Sequence, residues 1–173
     1  RVYQVNLGGV TFSGVFVNED MLAENGLEVP TTWSELVTAC ETLTSAGIPC
    51  MTVGGQDQWP VFVGAYGLVG AAYPDQEALV EALWTGESKY TDPDWLDLLA
   101  KYQIYSRDMI EAGAGGIPSD GAPGRFASGA VAMLPGGMWY APAIEGLEPA
   151  FEWSYVPFPG SDDPANNQFL FGK

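Results

Sequence analysis

The segment Pro30-Thr31-Thr32-Trp33-Ser34-Glu35 constrains the fold more than any other part of this chain. Thr32 and Glu35 stand at the S/T-x-x-E spacing of a capping box, in which each residue satisfies a free amide at a helix start. Trp33, Leu36, Val37, Cys40 and Leu43 then recur at helical spacing, and Gly47 supplies the residue that ends the helix. A short strand is expected directly afterwards, over Cys50 to Val53. A helix followed so closely by a strand is half of a β-α-β unit, and it points to an α/β layered fold.

The flanking sequence is compatible with that class. Val2 to Val17 is rich in β-branched and aromatic residues broken by Gly8, Gly9 and Gly14, and reads as two strands with a turn between them. Asn18 caps a short helix over Glu19 to Glu24, and Gly26 closes it as a left-handed residue. The loop Gly54-Gly55-Gln56-Asp57-Gln58 leads into an apolar segment, Trp59 to Tyr73. That segment is shorter than the roughly 18 residues a membrane span needs, and Pro60, Gly64, Gly67 and Gly70 make it a buried helix packed through its glycines. A further helix is expected over Asp75 to Trp84. Asp92 as cap and Pro93 in the first turn open the longest helix, with Trp95, Leu98, Leu99, Tyr102, Tyr105 and Met109 as its buried stripe. Gly113 to Pro123 reads as a loop, followed by a short helix holding Arg125 and Phe126. Strands are expected over Val131 to Leu134 and Glu152 to Val156. Between them Gly136-Gly137 turns into a short helix carrying Trp139 and Tyr140. Pro157 to Asn167 reads as a linker or loop. Trp33, Trp84 and Trp95 lie on helical stripes and are expected in the core.

Composition excludes several functions. The 173 residues are 47% hydrophobic and 16% charged, a globular balance with enough chain for one core. Six Lys and Arg against 22 Asp and Glu give a net charge of −16, so a basic footprint for nucleic acid is excluded. The acidity reads as a solvated surface or as attraction for a cationic ligand such as a polyamine. Without any His, a zinc site would rest on Cys40, Cys50 and carboxylates, which is a poor donor set. Those two cysteines suit either a disulfide closing a short loop, which implies an oxidising compartment, or a pair of buried thiols. There is no histidine for a triad, no G-x-S-x-G, no Walker A lysine and no G-x-G-x-x-G, so neither catalysis nor a cofactor is expected. A glycosidase-like carboxylate pair or a stand-alone carbohydrate-binding module is the remaining alternative. The start at Arg1, with neither Met nor a signal segment, reads as a processed or trimmed piece.

Three segments in order resemble the extracellular solute-binding proteins of carbohydrate ABC importers, family 1. Val15-Phe16-Val17-Asn18-Glu19-Asp20-Met21-Leu22 resembles the family's strand-to-helix signature YNKDLF, with Phe16 for Tyr and Glu19 for Lys. Gly26-Leu27 through Pro30-Thr31-Thr32-Trp33-Ser34-Glu35-Leu36 resembles AGL–PPKTWDEL. Arg125 to Met133, with Gly137-Met138-Trp139, resembles AF–GKAAM–GPW, the latter as in maltose-binding proteins. The resemblance implies a periplasmic-binding-protein-like (type II) fold of two α/β lobes, with helices around a small mixed sheet and a sugar held between the lobes. Residues 1–173 would form most of the second lobe, with 1–7 and 157–173 near the hinge crossings. It further implies a monomer that passes a sugar or oligosaccharide to membrane permease subunits. The place of work would be extracytoplasmic, lipid-anchored at the cell surface or periplasmic.

Sugars present apolar C–H faces and many hydroxyls, which proteins grip with aromatic rings and planar polar groups. Trp139 leads the candidates, because it follows a Gly-Gly turn at a strand end and the resemblance places a ligand-stacking Trp there. Tyr140 is its alternative, since either ring could face inward. Gln56, Asp57, Gln58 and Trp59 follow another strand end and combine polar hands with a ring. Phe12, in a Gly-flanked turn, completes the set. Arg125 is open between an internal carboxylate partner and a ligand.

Overall fold

In the computed structural model, residues 10–172 are described. Residues 1–7, expected near a hinge crossing, and the Gly8-Gly9 break lie outside them. The centre is a three-stranded antiparallel sheet in which β2 (Gly14–Asn18) lies between β3 (Met133–Gly136) and β4 (Trp153–Pro157). Val15, Phe16 and Val17 are fully buried because the sheet is covered on both faces, which is why they form an unbroken apolar run rather than an alternating one. Phe16 faces Phe126, Leu134 and Tyr140, whereas Val15 and Val17 face Leu36, Cys40, Met51 and Leu68.

The capping box forms as expected. In α2 (Trp33–Ser45) the Glu35 amide donates to Thr32 Oγ1 at 3.2 Å, and the Thr32 amide donates back to Glu35 Oε2 at 3.1 Å. In α1 (Glu19–Glu24) the Met21 amide donates to Asn18 Oδ1 at 2.9 Å. Gly26 and Gly47 take positive φ values of 71° and 79°, the conformation that ends each helix without a Cβ clash. Cys40 and Cys50 are disulfide-bonded and 3% and 2% exposed, which resolves the thiol question. The predicted strand from Cys50 to Val53 contracts to Met51 alone, which makes parallel bridges to Met133 and Ile110. Those bridges are the mixed element of the sheet.

The apolar segment is helix α3 (Trp59–Ala72), packed as its glycines foretold. A side chain at Gly64 would collide with the Tyr105 ring, and one at Gly67 with Phe158. Its opposite face is not buried, however: Phe62 and Tyr66 are exposed. In α4 (Gln76–Thr85) Asp75 caps through Ala78, but Trp84 is 86% exposed rather than core, because among that helix's residues only Leu79 turns inward. In α5 (Pro93–Ile104) Leu98 is buried and Leu99 is exposed, so the stripe is narrower than predicted. Trp95 is half-buried, sandwiched by Tyr73 and Tyr90 at 5.2 and 4.8 Å between ring centroids. Asp92 precedes α5 without capping it; its carboxylate instead accepts from the Lys89 amide at 2.8 Å. The helix continues into a wider π turn, Tyr105–Met109, which places both end residues in the core.

Beyond it come α6 (Ala122–Ala127) and α7 (Ala141–Glu145), packed on the Phe16 face of the sheet. The predicted strands near 131 and 152 begin at Met133 and Trp153. Pro157 to Asn167 is no loose linker, since Phe158 is 1% exposed and packs edge-on against Tyr105 at 5.7 Å. β1 (Val10–Thr11) pairs with β5 (Phe171–Gly172) as a separate antiparallel ribbon.

Candidate functional site

Strand register dictates which side chains meet. Gly14 at the start of β2 pairs with Gly136 at the end of β3, so the residues before β2 and after β3 emerge at one end of the sheet. Met51 bridges Met133 in parallel, so the chain after Met51 runs alongside β3 toward that same end. Phe12, the 54–59 segment and Trp139 are therefore brought together from three separate parts of the sequence.

The rings form one cluster. Trp139 lies 5.5 Å from Phe12 and 5.8 Å from Trp59 between centroids, in edge and tilted geometry. Phe12 and Trp59 remain 38% and 42% exposed, so each offers ring surface to solvent while its edge is held by Trp139. Gly137 makes the fold-back possible, because a side chain there would collide with the Trp139 ring. Between Trp139 and Tyr140 the inward ring is Tyr140: it packs against Gly136, is 6% exposed, and gives the groove only part of its wall. Trp139 Nε1 and the Tyr140 hydroxyl are both buried without a hydrogen-bond partner.

The groove beside the cluster is lined by Trp59, Ser119, Asp120, Pro123, Trp139, Tyr140 and Ala143. Ser119 and Asp120 come from a loop that carried no signal beyond its Gly and Pro content, and Pro123 comes from the first turn of α6. Gln56 and Gln58 are exposed, and neither they nor Asp57 line the groove. Asp57 Oδ2 accepts from the Ser119 amide at 2.7 Å, and that bond holds its carboxyl below the usual carboxylate range. Burial pushes the Tyr140 phenol up; the adjacent Trp139 indole opposes this, and the Asp57 and Asp120 carboxylates add to the rise.

Arg125 belongs elsewhere. Its guanidinium makes two bonds of 2.5 Å to the Glu111 carboxylate, forming an internal pair. Among the described residues no cation lines the groove, and no group of three or more His, Cys, Asp or Glu could hold a metal ion. An aromatic cluster beside the Ser119 hydroxyl and the Asp120 carboxylate can stack on and hydrogen-bond a polyhydroxylated ring.

A family model described as "Bacterial extracellular solute-binding protein" matches residues 2–170. The chain belongs to that family. It is 26% identical over 177 aligned residues to the multiple sugar-binding protein of Streptococcus mutans, covering 92% of this chain and 39% of that one. Among solved structures, a chitin oligosaccharide binding protein aligns over 95% of this chain and 43% of its own, with 26% identity and a TM-score of 0.77. A structure from work on xylan utilization by Caldanaerobius polysaccharolyticus has 25% identity and a TM-score of 0.73, over 95% of this chain and 44% of that one. At 22% identity, the raffinose complex of RafE shows the same fold, with a TM-score of 0.75 over 94% of this chain and 44% of its own. The chain thus spans less than half the length of these family members. Among the described residues, no helix is long and apolar enough to cross a membrane.

Proposed function

We propose that this chain forms the sugar-facing part of one lobe in an extracytoplasmic receptor that captures an oligosaccharide for an ABC importer and catalyses nothing. The observation that carries this reading is the Phe12–Trp59–Trp139 cluster at the end of the sheet, half-exposed, with Trp59 and Trp139 lining a groove that Ser119 and Asp120 share. In open α/β folds, strand ends are where ligands sit. Family members described as binding chitin oligosaccharide and multiple sugars support the ligand class. In this reading Trp139, Trp59 and Phe12 stack on sugar faces, Gln56 and Gln58 reach hydroxyls, and Tyr140 closes the wall. The β1–β5 ribbon, which brings residues 10–11 beside 171–172, suits a position near the crossings to a second lobe.

Calorimetric titration of the intact protein against raffinose, stachyose and chitin oligosaccharides tests this. Binding of at least one, lost or weakened about tenfold or more in Trp139→Ala, is expected, without turnover of the ligand. Equal affinity in that variant would remove the site, and hydrolysis of the sugar would remove the receptor reading.

A further inference from the structure

We propose that Asp57 is a positioning residue, whose carboxylate ties the Gly55–Asp57 turn to the loop at Ser119 and thereby sets the Trp59 ring against Trp139. This rests on the sugar-receptor reading for its purpose, although its geometry stands independently. The turn and the loop are joined by two bonds, Gln56 N to Ile117 O at 3.0 Å and Ser119 N to Asp57 Oδ2 at 2.7 Å. Only the second depends on a side chain. The backbones meet so closely that side chains at Gly54 and Gly55 would strike Ser119 and Ala114. The next residue, Gln58, adopts φ 64° and ψ −46°, a region that L-residues avoid and that costs about 1–3 kcal/mol.

That conformation turns the chain abruptly into α3, where Trp59 is followed by Pro60 in the first turn. A strained residue persists only where its neighbours over-determine it. Here the neighbours are the Asp57 clasp before it and the proline-started helix after it. Releasing the clasp lets Gln58 relax, and the ring attached to the next residue moves with it. Asp57 therefore acts on a sugar through Trp59, its Oδ2 being already committed to the Ser119 amide.

The test compares Asp57→Ala with Asp57→Asn, whose amide carbonyl can still accept from Ser119. The first readout needs no sugar: the coupled circular-dichroism band of the Trp59–Trp139 pair, identified by its loss in Trp59→Phe. D57A should abolish that band with far-ultraviolet helix content unchanged, and D57N should retain it. In the intact protein, D57A should weaken raffinose or chitin-oligosaccharide binding roughly tenfold, as loss of a charge-assisted bond implies, with D57N restoring most of it. An unchanged band in D57A would overturn the proposal. So would equal loss of sugar affinity in both variants with the band intact, because Asp57 would then touch sugar itself. If the wild type binds no sugar in the panel, the receptor reading fails while the band still decides the role of Asp57.

Discussion

Removing the Cys40–Cys50 bridge should cost this chain a large share of its stability, and the amount follows from loop length. The two residues are separated by 10 in sequence, so the bond closes a short loop that joins the C-terminal half of α2 to the bridging residue Met51. Chain-entropy reasoning gives about 9 cal/mol/K removed from the unfolded chain, or about 2.7 kcal/mol at 25 °C. Natural domains of this size hold only about 5–15 kcal/mol in total, so the loss is severe. For 173 residues, it corresponds to a fall in melting temperature of about 5–11 °C. Because both sulfurs are buried in the main core, Cys40→Ala/Cys50→Ala is the suitable variant, replacing them without new polar groups. Circular-dichroism melts of wild type, of wild type with reductant, and of the double variant form the assay. The two treatments should produce similar falls, and reductant should leave the variant unaffected. A double variant melting within about 2 °C of wild type would refute the entropic account.

Gly64→Ala should destabilise by about 1–3 kcal/mol despite its helical position, because the new methyl meets the fully buried Tyr105 ring. Gly124→Ala, where nothing lies within 4 Å, should instead gain up to about 1 kcal/mol from helix propensity; urea titration of both separates packing from backbone entropy. Burial pushes the Glu111 carboxyl up, yet the Arg125 bonds hold it below its ordinary value of 4.5. The pair therefore adds stability above that value and loses it as pH falls through the folded value. Arg125→Met should cost about 2–3 kcal/mol at pH 7, less than a fully buried pair because the Arg125 side chain is 37% exposed. Its stability relative to wild type should recover toward pH 4, and a constant gap across that range would refute the assignment.

Local signals specify their elements because their physics is local. Thr32 with Glu35, Asn18 before α1, and Gly26 and Gly47 after their helices satisfy backbone groups within a few residues, and all formed as expected. Trp84 and Leu99 lie outside the core for the converse reason. Helical spacing says which residues share a face, not which face meets a neighbour. α4 turns only Leu79 fully inward, and α5 turns Leu98 rather than Leu99. Likewise Cys50 to Val53 has strand composition, but only Met51 bridges a neighbour on both sides, Met133 and Ile110.

The candidate site was legible in its residue types and hidden in its assembly. Trp139 after a Gly-Gly turn and Trp59 after a polar loop each stood out singly, whereas their contact is created by two register facts, Gly14 opposite Gly136 and Met51 beside Met133. Sequence treated Gln56, Asp57 and Gln58 as equivalent polar hands, but they differ by backbone and partner. Asp57 is bound to Ser119, 62 residues away, and Gln58 is held left-handed. No spacing rule links a Gly- and Pro-rich loop to a carboxylate at that distance. The same sheet end that gathers the rings thus requires a connection between loops, and a site built from three chain segments depends on residues that hold those segments in place as much as on those facing the groove.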